Sequence, residues 1–275
     1  MSFWQTILKI LDADMPQPGM YGWFHLLFLG LTVLLAVVLS AHYRGCTSDQ
    51  MRRMILLVSI AVVVLEVYKQ INFSFDYASG ITFDFQWYAF PFQFCSTPMY
   101  VGLLAGLTRK GKLHDAANAY LATYALFAGV CVMVYPSTVF VETIGINVQT
   151  MICHGSMIVV GVCLLASGIV KLEHKTILKA LPAFAVCVLL AWAMNEVAYR
   201  VGLLETETFN MFFISPYCEP SLPVYSLVQA VVPFPLCLVI YVAGFSVAAY
   251  LMLLIAMGVR ALSSTRHKHM PVANV

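Results

Sequence analysis

The chain has 275 residues, of which 61% are hydrophobic and 10% charged, with a formal net charge of +2. Soluble domains carry about a quarter charged residues, so the composition excludes a soluble enzyme and points to an integral membrane protein. The small net charge sits in short loops rather than on one basic face, which leaves no surface for nucleic acid.

In chain order, residues 3–12 read as a short amphipathic segment at the membrane interface with Trp4 as its anchor, or alternatively as a frayed tail. The acidic, proline-containing stretch up to residue 20 is unlike the basic start of a cleaved signal peptide. Apolar runs near the ~20 residues needed to cross a bilayer follow at 21–42, 54–72, 91–108, 116–135, 151–171, 177–199 and 232–258. The predicted architecture is therefore an all-α polytopic bundle of seven transmembrane helices. It divides into an interfacial segment 1–20, a transmembrane domain 21–258 and a cytoplasmic tail 259–275. In the third run the stretch Gly102 to Gly106, GLLAG, is a close-packing GxxxG motif.

Charge sets the expected orientation. Twelve of the fifteen basic residues fall in alternate loops: Arg44, Arg52 and Arg53; Arg109, Lys110 and Lys112; Lys171, Lys175 and Lys179; and Arg260, Arg266 and Lys268. The positive-inside rule makes these loops cytoplasmic, with the N-terminus outside and the C-terminus inside. The opposite loops, 73–90, 136–150 and 200–231, are longer and acidic. No internal repeat or low-complexity run appears.

Eight polar residues, His25, Glu66, Lys69, Gln93, Cys95, His154, Asn195 and Glu196, fall near the outer ends of their hydrophobic runs. Ionisable groups in a bilayer are costly unless they are paired or face a wet cavity, so a one-sided cluster marks a candidate site. A rise of 1.5 Å per residue places His25, Glu66, Cys95, His154 and Asn195 about 5–9 Å below the outer boundary. Cys95, beside a helix start, suits a nucleophile or is an inert buried thiol. His154 suits its general base or is a satisfied structural histidine. Glu66 either pairs with Lys69 three residues on or orients a histidine. His25 is a second histidine of the site or an interfacial residue beside Trp23 and Tyr21. Asn195 polarises a carbonyl or makes an interhelical hydrogen bond, and Glu196 pairs with Arg200. The segment from Asn210 through Pro223 is too apolar for a free loop and too broken by prolines for a span, so a lid or re-entrant piece is expected. The eight cysteines, at 46, 95, 131, 153, 163, 187, 218 and 237, show neither CxxC nor zinc-finger spacing. Cys153 and Cys218 are placed near one face, where a disulfide depends on geometry.

FHLLFL around His25, LEVYKQ around Glu66, PFQFCS around Cys95, CHGSMIVVGVCLLA around His154, NEVAYRVG, NMFF and EPSLP occur in order over roughly 20–255. In these stretches the chain resembles the YwaF-like bacterial multipass membrane proteins and their animal relative, transmembrane protein 164, an acyltransferase acting on ether phospholipids. The resemblance implies a membrane-embedded thiol site with Cys95 as nucleophile and His154 as its partner, in a bacterial plasma membrane. One position departs from it: family members usually read PLHLCS, and Gln93 stands where a histidine is typical.

The leading expectation is a lipid acyltransferase or transacylase with Cys95, His154, Asn195 and Glu66 as catalytic residues and His25, Gln93, Lys69, Glu196 and Asn210 as substrate-binding residues. It uses no cofactor, and its partners are membrane phospholipids; the sequence leaves the oligomeric state open. Alternatives from other classes are a transporter or small-molecule receptor using the same polar cavity, and a metal-binding protein with His25, Glu66, Cys95 and His154 as donors.

Overall fold

Ser2 and Gln5 close the start of the first helix, α1 (Phe3–Leu11), as a capping box: each side chain accepts the other residue's backbone N–H. The helix end is tied down by Tyr68, whose hydroxyl donates to the Leu11 carbonyl at 2.6 Å, and by Asn72, which donates to Asp12 at 3.2 Å. Phe3 and Trp4 stay exposed on this helix, so an ordered amphipathic element replaces the frayed-tail alternative. The computed structural model describes residues 2–77, 80–136, 138–220 and 222–268.

Among the described residues six helices are long and apolar enough to cross a membrane. They are α2 (Trp23–His42), α3 (Ser48–Ser74), the continuous Lys112–Val134, α7 (Ile144–Ala166), α8 (Lys175–Arg200) and α10 (Phe234–Lys268). Within the third of these, α5 (Lys112–Tyr120) passes through a π-helical turn at Leu121–Ala125 into α6 (Leu126–Val134). The run predicted as a span at 91–108 instead forms α4 (Thr97–Leu107), about 16 Å long against a hydrocarbon core of ~30 Å. Ahead of it, the Ser96 and Thr97 amides both donate to the Gln93 carbonyl, which folds residues 93–97 into a turn. A short α9 (Pro223–Gln229), a two-stranded hairpin, β1 (Phe75–Asp76) with β2 (Thr82–Phe83), and 3-10 turns at Trp87–Ala89, Leu203–Glu205 and Met211–Phe213 complete the regular structure of the described residues. Of the predicted tail, residues up to Lys268 continue α10, and residues 269–275 lie outside the described ones.

The bundle is organised by what faces inward. Lipid is as apolar as leucine, so helices associate through small residues, close packing and hydrogen bonds rather than through hydrophobic exclusion. Accordingly α2 turns Leu27, Leu34 and Val37 outward and buries Phe24, His25, Thr32 and Ala36. The central helices are α5–α6 and α7, against which α2, α3 and α8 pack. GLLAG performs as its spacing indicates: α4 lies on α3 so closely that a Cβ on Gly106 would sit 2.9 Å from the Leu56 Cα, and one on Gly102 would overlap Ser59. Phe94, Phe184, Phe212, Tyr241 and Phe245 form an aromatic cluster joining the α4 approach to α8 and α10, with Tyr124 stacked on Phe184 at 4.3 Å.

Helix α7 begins seven residues before its predicted start at 151. Asn147, Gln149 and Thr150 lower the hydropathy of that stretch, yet all three are buried with partners; Asn147 accepts the Val141 N–H at 2.9 Å and donates to the Val141 carbonyl at 2.7 Å. This moves the candidate site. His154 lies about 15 Å along the helix from Ile144, whereas His25, two residues into α2, is about 3 Å from its start. A single shallow layer of polar groups is thus not what the chain builds.

Candidate functional site

Cys95 sits one residue ahead of the Ser96 cap of α4, and its thiol lies beside its own amide N–H and the Ser96 hydroxyl. The Ser96 and Thr97 amides are already committed to the Gln93 carbonyl, and Pro98 has none to offer, so the Cys95 amide is the donor nearest the sulfur. Side chains of Cys95, Cys153, Ser59, Ser156, Met157 and Leu121 line a cavity of about 30 Å³, room for about one water. Leu121 reaches it from the π-helical turn, a distortion found disproportionately at functional sites. Cys95 keeps partial exposure while Cys153 is buried.

A polar chain borders this cavity. Lys69 Nζ meets Glu66 Oε2 at 2.6 Å, and Gln149 Nε2 donates to Glu66 Oε1 at 3.0 Å and approaches Cys153 Sγ at 3.4 Å. Three elements contribute: α3 gives the ion pair, α7 the amide and second thiol, and the turn before α4 the first thiol. Both Lys69 and Glu66 lie within electrostatic reach of Cys95 and Cys153. The bland expectation for Glu66, an ion pair with Lys69, is what the side chains form; its second oxygen goes to Gln149, and no bond to a histidine is made.

His154 is buried, and its Nδ1 donates to the Thr150 carbonyl at 2.7 Å. That bond leaves Nε2 as an unprotonated acceptor, and Nε2 is buried without a hydrogen-bond partner. The tautomer is therefore set by the helix's own backbone rather than by Glu66. Adjacent residues on a helix project about 100° apart, so His154 is turned from the face that carries Cys153 into the cavity, and no hydrogen bond joins it to Cys95. Gly155 meanwhile allows α2 to come close, with Thr32 Oγ1 2.5 Å from where a Cβ would be.

The remaining predicted site residues have other partners. His25 accepts the Tyr21 N–H at Nδ1, 3.0 Å, and donates from Nε2 to the Met133 carbonyl, 2.9 Å, pinning the start of α2 to the end of α6. Asn195 donates to the Met211 carbonyl at 3.0 Å and accepts the Met211 N–H at 2.7 Å. Gln93 does the same one residue to either side, donating to the Asn210 carbonyl and accepting the Phe212 N–H, both at 2.9 Å. Asn210 accepts the Ser215 amide at 3.0 Å, and Glu196 takes Arg200 and the Tyr217 hydroxyl, each at 2.7 Å. Together the two amides hold Asn210–Phe212 as a plug, with Met211, Phe212 and Ile214 fully buried. Phe212 and Phe213 have φ of 58° and 56°, a strained region for residues with a Cβ, which these hydrogen bonds and the Tyr241 hydroxyl on the Phe212 carbonyl maintain. The segment expected to be a lid or re-entrant piece is buried in the bundle at Met211, Phe212 and Ile214, and Asn195 and Gln93 are spent on holding it.

Sequence reasoning passed over Gln149, Ser59 and Ser156 and weighed Cys153 only for a disulfide. A usable signal existed: Gln149, Cys153, Ser156 and Val160 recur at i, i+4, i+7 and i+11, one face of α7. All eight cysteines are free thiols, so the Cys153–Cys218 pairing is not formed; Cys218 Sγ contacts the Phe209 carbonyl at 3.5 Å. Among the described residues no group of three or more His, Cys, Asp or Glu gathers to hold a metal ion. The four-donor alternative fails because both ring nitrogens of His25 are used elsewhere.

No curated protein and no solved structure matches the chain. A family model does, over residues 20–256, which takes in every helix from α2 to most of α10 together with the thiol cavity and the plug: the chain is a membrane protein of the TMEM164 family.

Proposed function

We propose that the chain is a membrane-embedded acyl-transfer enzyme acting on phospholipid esters, with Cys95 as the nucleophile. The observation that carries this is the Cys95 thiol lining a small cavity, against its own amide N–H and within electrostatic reach of the Lys69–Glu66 pair. His154 Nε2 takes the thiol proton and the Cys95 sulfur attacks the ester carbonyl, with the Cys95 amide placed to donate to the oxyanion; the ester C–O bond then breaks, the proton passes to the departing lysophospholipid hydroxyl, and the hydroxyl of an acceptor lipid attacks the thioester, taking the acyl group and restoring the thiol. His154 Nε2 is the proton acceptor, since it is a buried imidazole nitrogen whose lone pair nothing uses. His154 projects about 100° round α7 from Cys153 and does not line the cavity, so in this reading the bound ester lies between sulfur and ring and the proton crosses by way of it. The cavity has no room for an acyl chain as it stands, and a lipid ester reaches Cys95 by parting its wall.

In this reading α4, with the turn before it, serves as a seventh, incomplete span. The N-terminus and α1 lie at the outer face and the basic loops and tail in the cytoplasm of a bacterial plasma membrane. Cys95 then lies about 16 Å from the cytoplasmic end of α4, and His154 about 18 Å from Ala166, close to the bilayer midplane. Reconstitution in liposomes with a labelled phospholipid tests the assignment. Wild type transfers the label, while C95A and H154Q retain the wild-type melting temperature and lose transfer by a hundredfold or more, on the order of a missing acid–base group. Undiminished transfer in C95A refutes the mechanism.

A further inference from the structure

Away from the thiol cavity, at the end of the bundle carrying the basic loops, the start of α5 and the α7–α8 connection border a polar cleft of about 460 Å³. A space of that size is in the range of pockets that take small ligands. His114 and Asn118, one turn apart on α5, line it from within the bundle, and Asn118 is only 4% exposed. Their hydrogen bonds run in one direction. Thr108 Oγ1 gives its proton to the Leu104 carbonyl at 2.6 Å, so toward His114 Nδ1, 3.3 Å away, it can only accept. In the neutral ring Nδ1 therefore carries the hydrogen, and Nε2 accepts from Asn118 Nδ2 at 2.9 Å. Asn118 Oδ1 ends this chain as a buried acceptor with no donor. Folded proteins leave few such atoms unmatched, so this one points to a donor that a ligand brings.

The mouth of the cleft has the opposite requirement. Gly111 gives α5 no side-chain cap, and no described residue accepts the amide N–H of Lys112, Leu113 or His114. Open amides at a helix N-terminus favour an anion. Arg109 and Lys110, the two residues before Gly111, line the same cleft with Lys171, and none of the three forms an ion pair among the described residues. Lys179 lines it too but is held by Glu173 at 2.9 Å, and one carboxylate, Asp115, opposes the cations. We infer that the cleft binds a phosphate ester carrying a free hydroxyl, of the glycerophosphate kind. The phosphate takes the α5 amides and the cations, and the hydroxyl donates to Asn118 Oδ1. An ammonium could supply the same donor, but the cationic mouth opposes it. The cleft shares no lining residue with the thiol cavity, so the assignment is independent of the acyl-transfer reading.

Isothermal titration calorimetry of the full, delipidated chain in uncharged detergent at pH 8 tests it. The probes are sn-glycerol 3-phosphate and methyl phosphate, the second a dianion at this pH with no hydrogen to donate. Wild type binds the glycerol ester about tenfold more tightly, the worth of one buried hydrogen bond. N118L erases that difference, R109Q/K110Q weakens both esters about tenfold, and D115N, which removes the opposing carboxylate, tightens both by roughly two- to fivefold. Phosphatidylglycerol carries the same phosphate and hydroxyls, and native mass spectrometry separates the sources. Its retention by wild type and loss in R109Q/K110Q identify a membrane headgroup as the occupant, whereas binding of the glycerol ester without lipid retention identifies a soluble one. Wild type that holds neither the esters nor the lipid, equal affinity for the two esters, or a preference that survives in folded N118L would each overturn the assignment. If N118L does not fold, the exposed-site variants R109Q/K110Q and D115N decide, and unchanged affinity in both overturns it.

Discussion

Asn195→Ala separates a structural amide from a catalytic one. The side chain makes two hydrogen bonds to the backbone of Met211, at 3.0 and 2.7 Å, and Met211 is fully buried. Truncation strands one N–H and one C=O away from water. An unsatisfied buried group costs about 1–3 kcal/mol in soluble proteins, while hydrogen bonds inside membrane bundles average nearer 0.6 kcal/mol. Taking both ends, with the strained φ of Phe212 losing a neighbouring restraint, the loss is about 2–4 kcal/mol. For a chain of this size each kcal/mol shifts the melting temperature by roughly 2–4 °C, so Asn195→Ala lowers it by about 4–16 °C. Asn195→Asp fares no better, because it replaces the donor facing the Met211 carbonyl with a second acceptor. Intrinsic fluorescence during a thermal ramp in detergent reads the effect. A melting temperature within 1 °C of wild type, accompanied by lost acyl transfer, would refute the plug argument and return Asn195 to the chemistry.

Three further predictions follow from contacts of different kinds. Lys69→Met strands the buried Glu66 carboxylate and costs about 3–5 kcal/mol, and adding Glu66→Gln recovers more than half of it; chemical denaturation of both variants checks this. Gly106→Val drives a side chain against the backbone of Leu56, which cannot yield, so the variant loses the α3–α4 contact and its folded yield in detergent falls sharply, whereas Gly30→Val, with nothing within 4 Å, is neutral. Maleimide labelling of the denatured, unreduced chain adds eight tags by mass spectrometry; six would restore a disulfide.

The membrane class, the helix positions and the close-packing glycines were legible because each depends on local composition or spacing. The third span was not, since Pro91, the Gln93 carbonyl turn and Pro98 divert an apolar run that hydropathy counts as helical. The start of α7 was hidden for the reverse reason: Asn147 and Gln149 are polar but satisfied internally, which composition cannot report. The site was half legible. Cys95, Glu66 and Lys69 share a region as their motifs indicated, and Gln149 was missed because its role lies in a tertiary hydrogen bond to Glu66. His25 and Asn195 belong to the bundle's framework, a distinction drawn only by partners more than 15 residues away in the chain.

The central claim, that Cys95 carries the acyl group, is tested most directly by intact-protein mass spectrometry after a brief incubation with excess phospholipid. The account predicts one added acyl mass that peptide mapping assigns to Cys95, that hydroxylamine removes, and that C95A lacks. An unmodified Cys95 in a preparation that nonetheless transfers acyl groups, or an adduct placed on another residue, would contradict it.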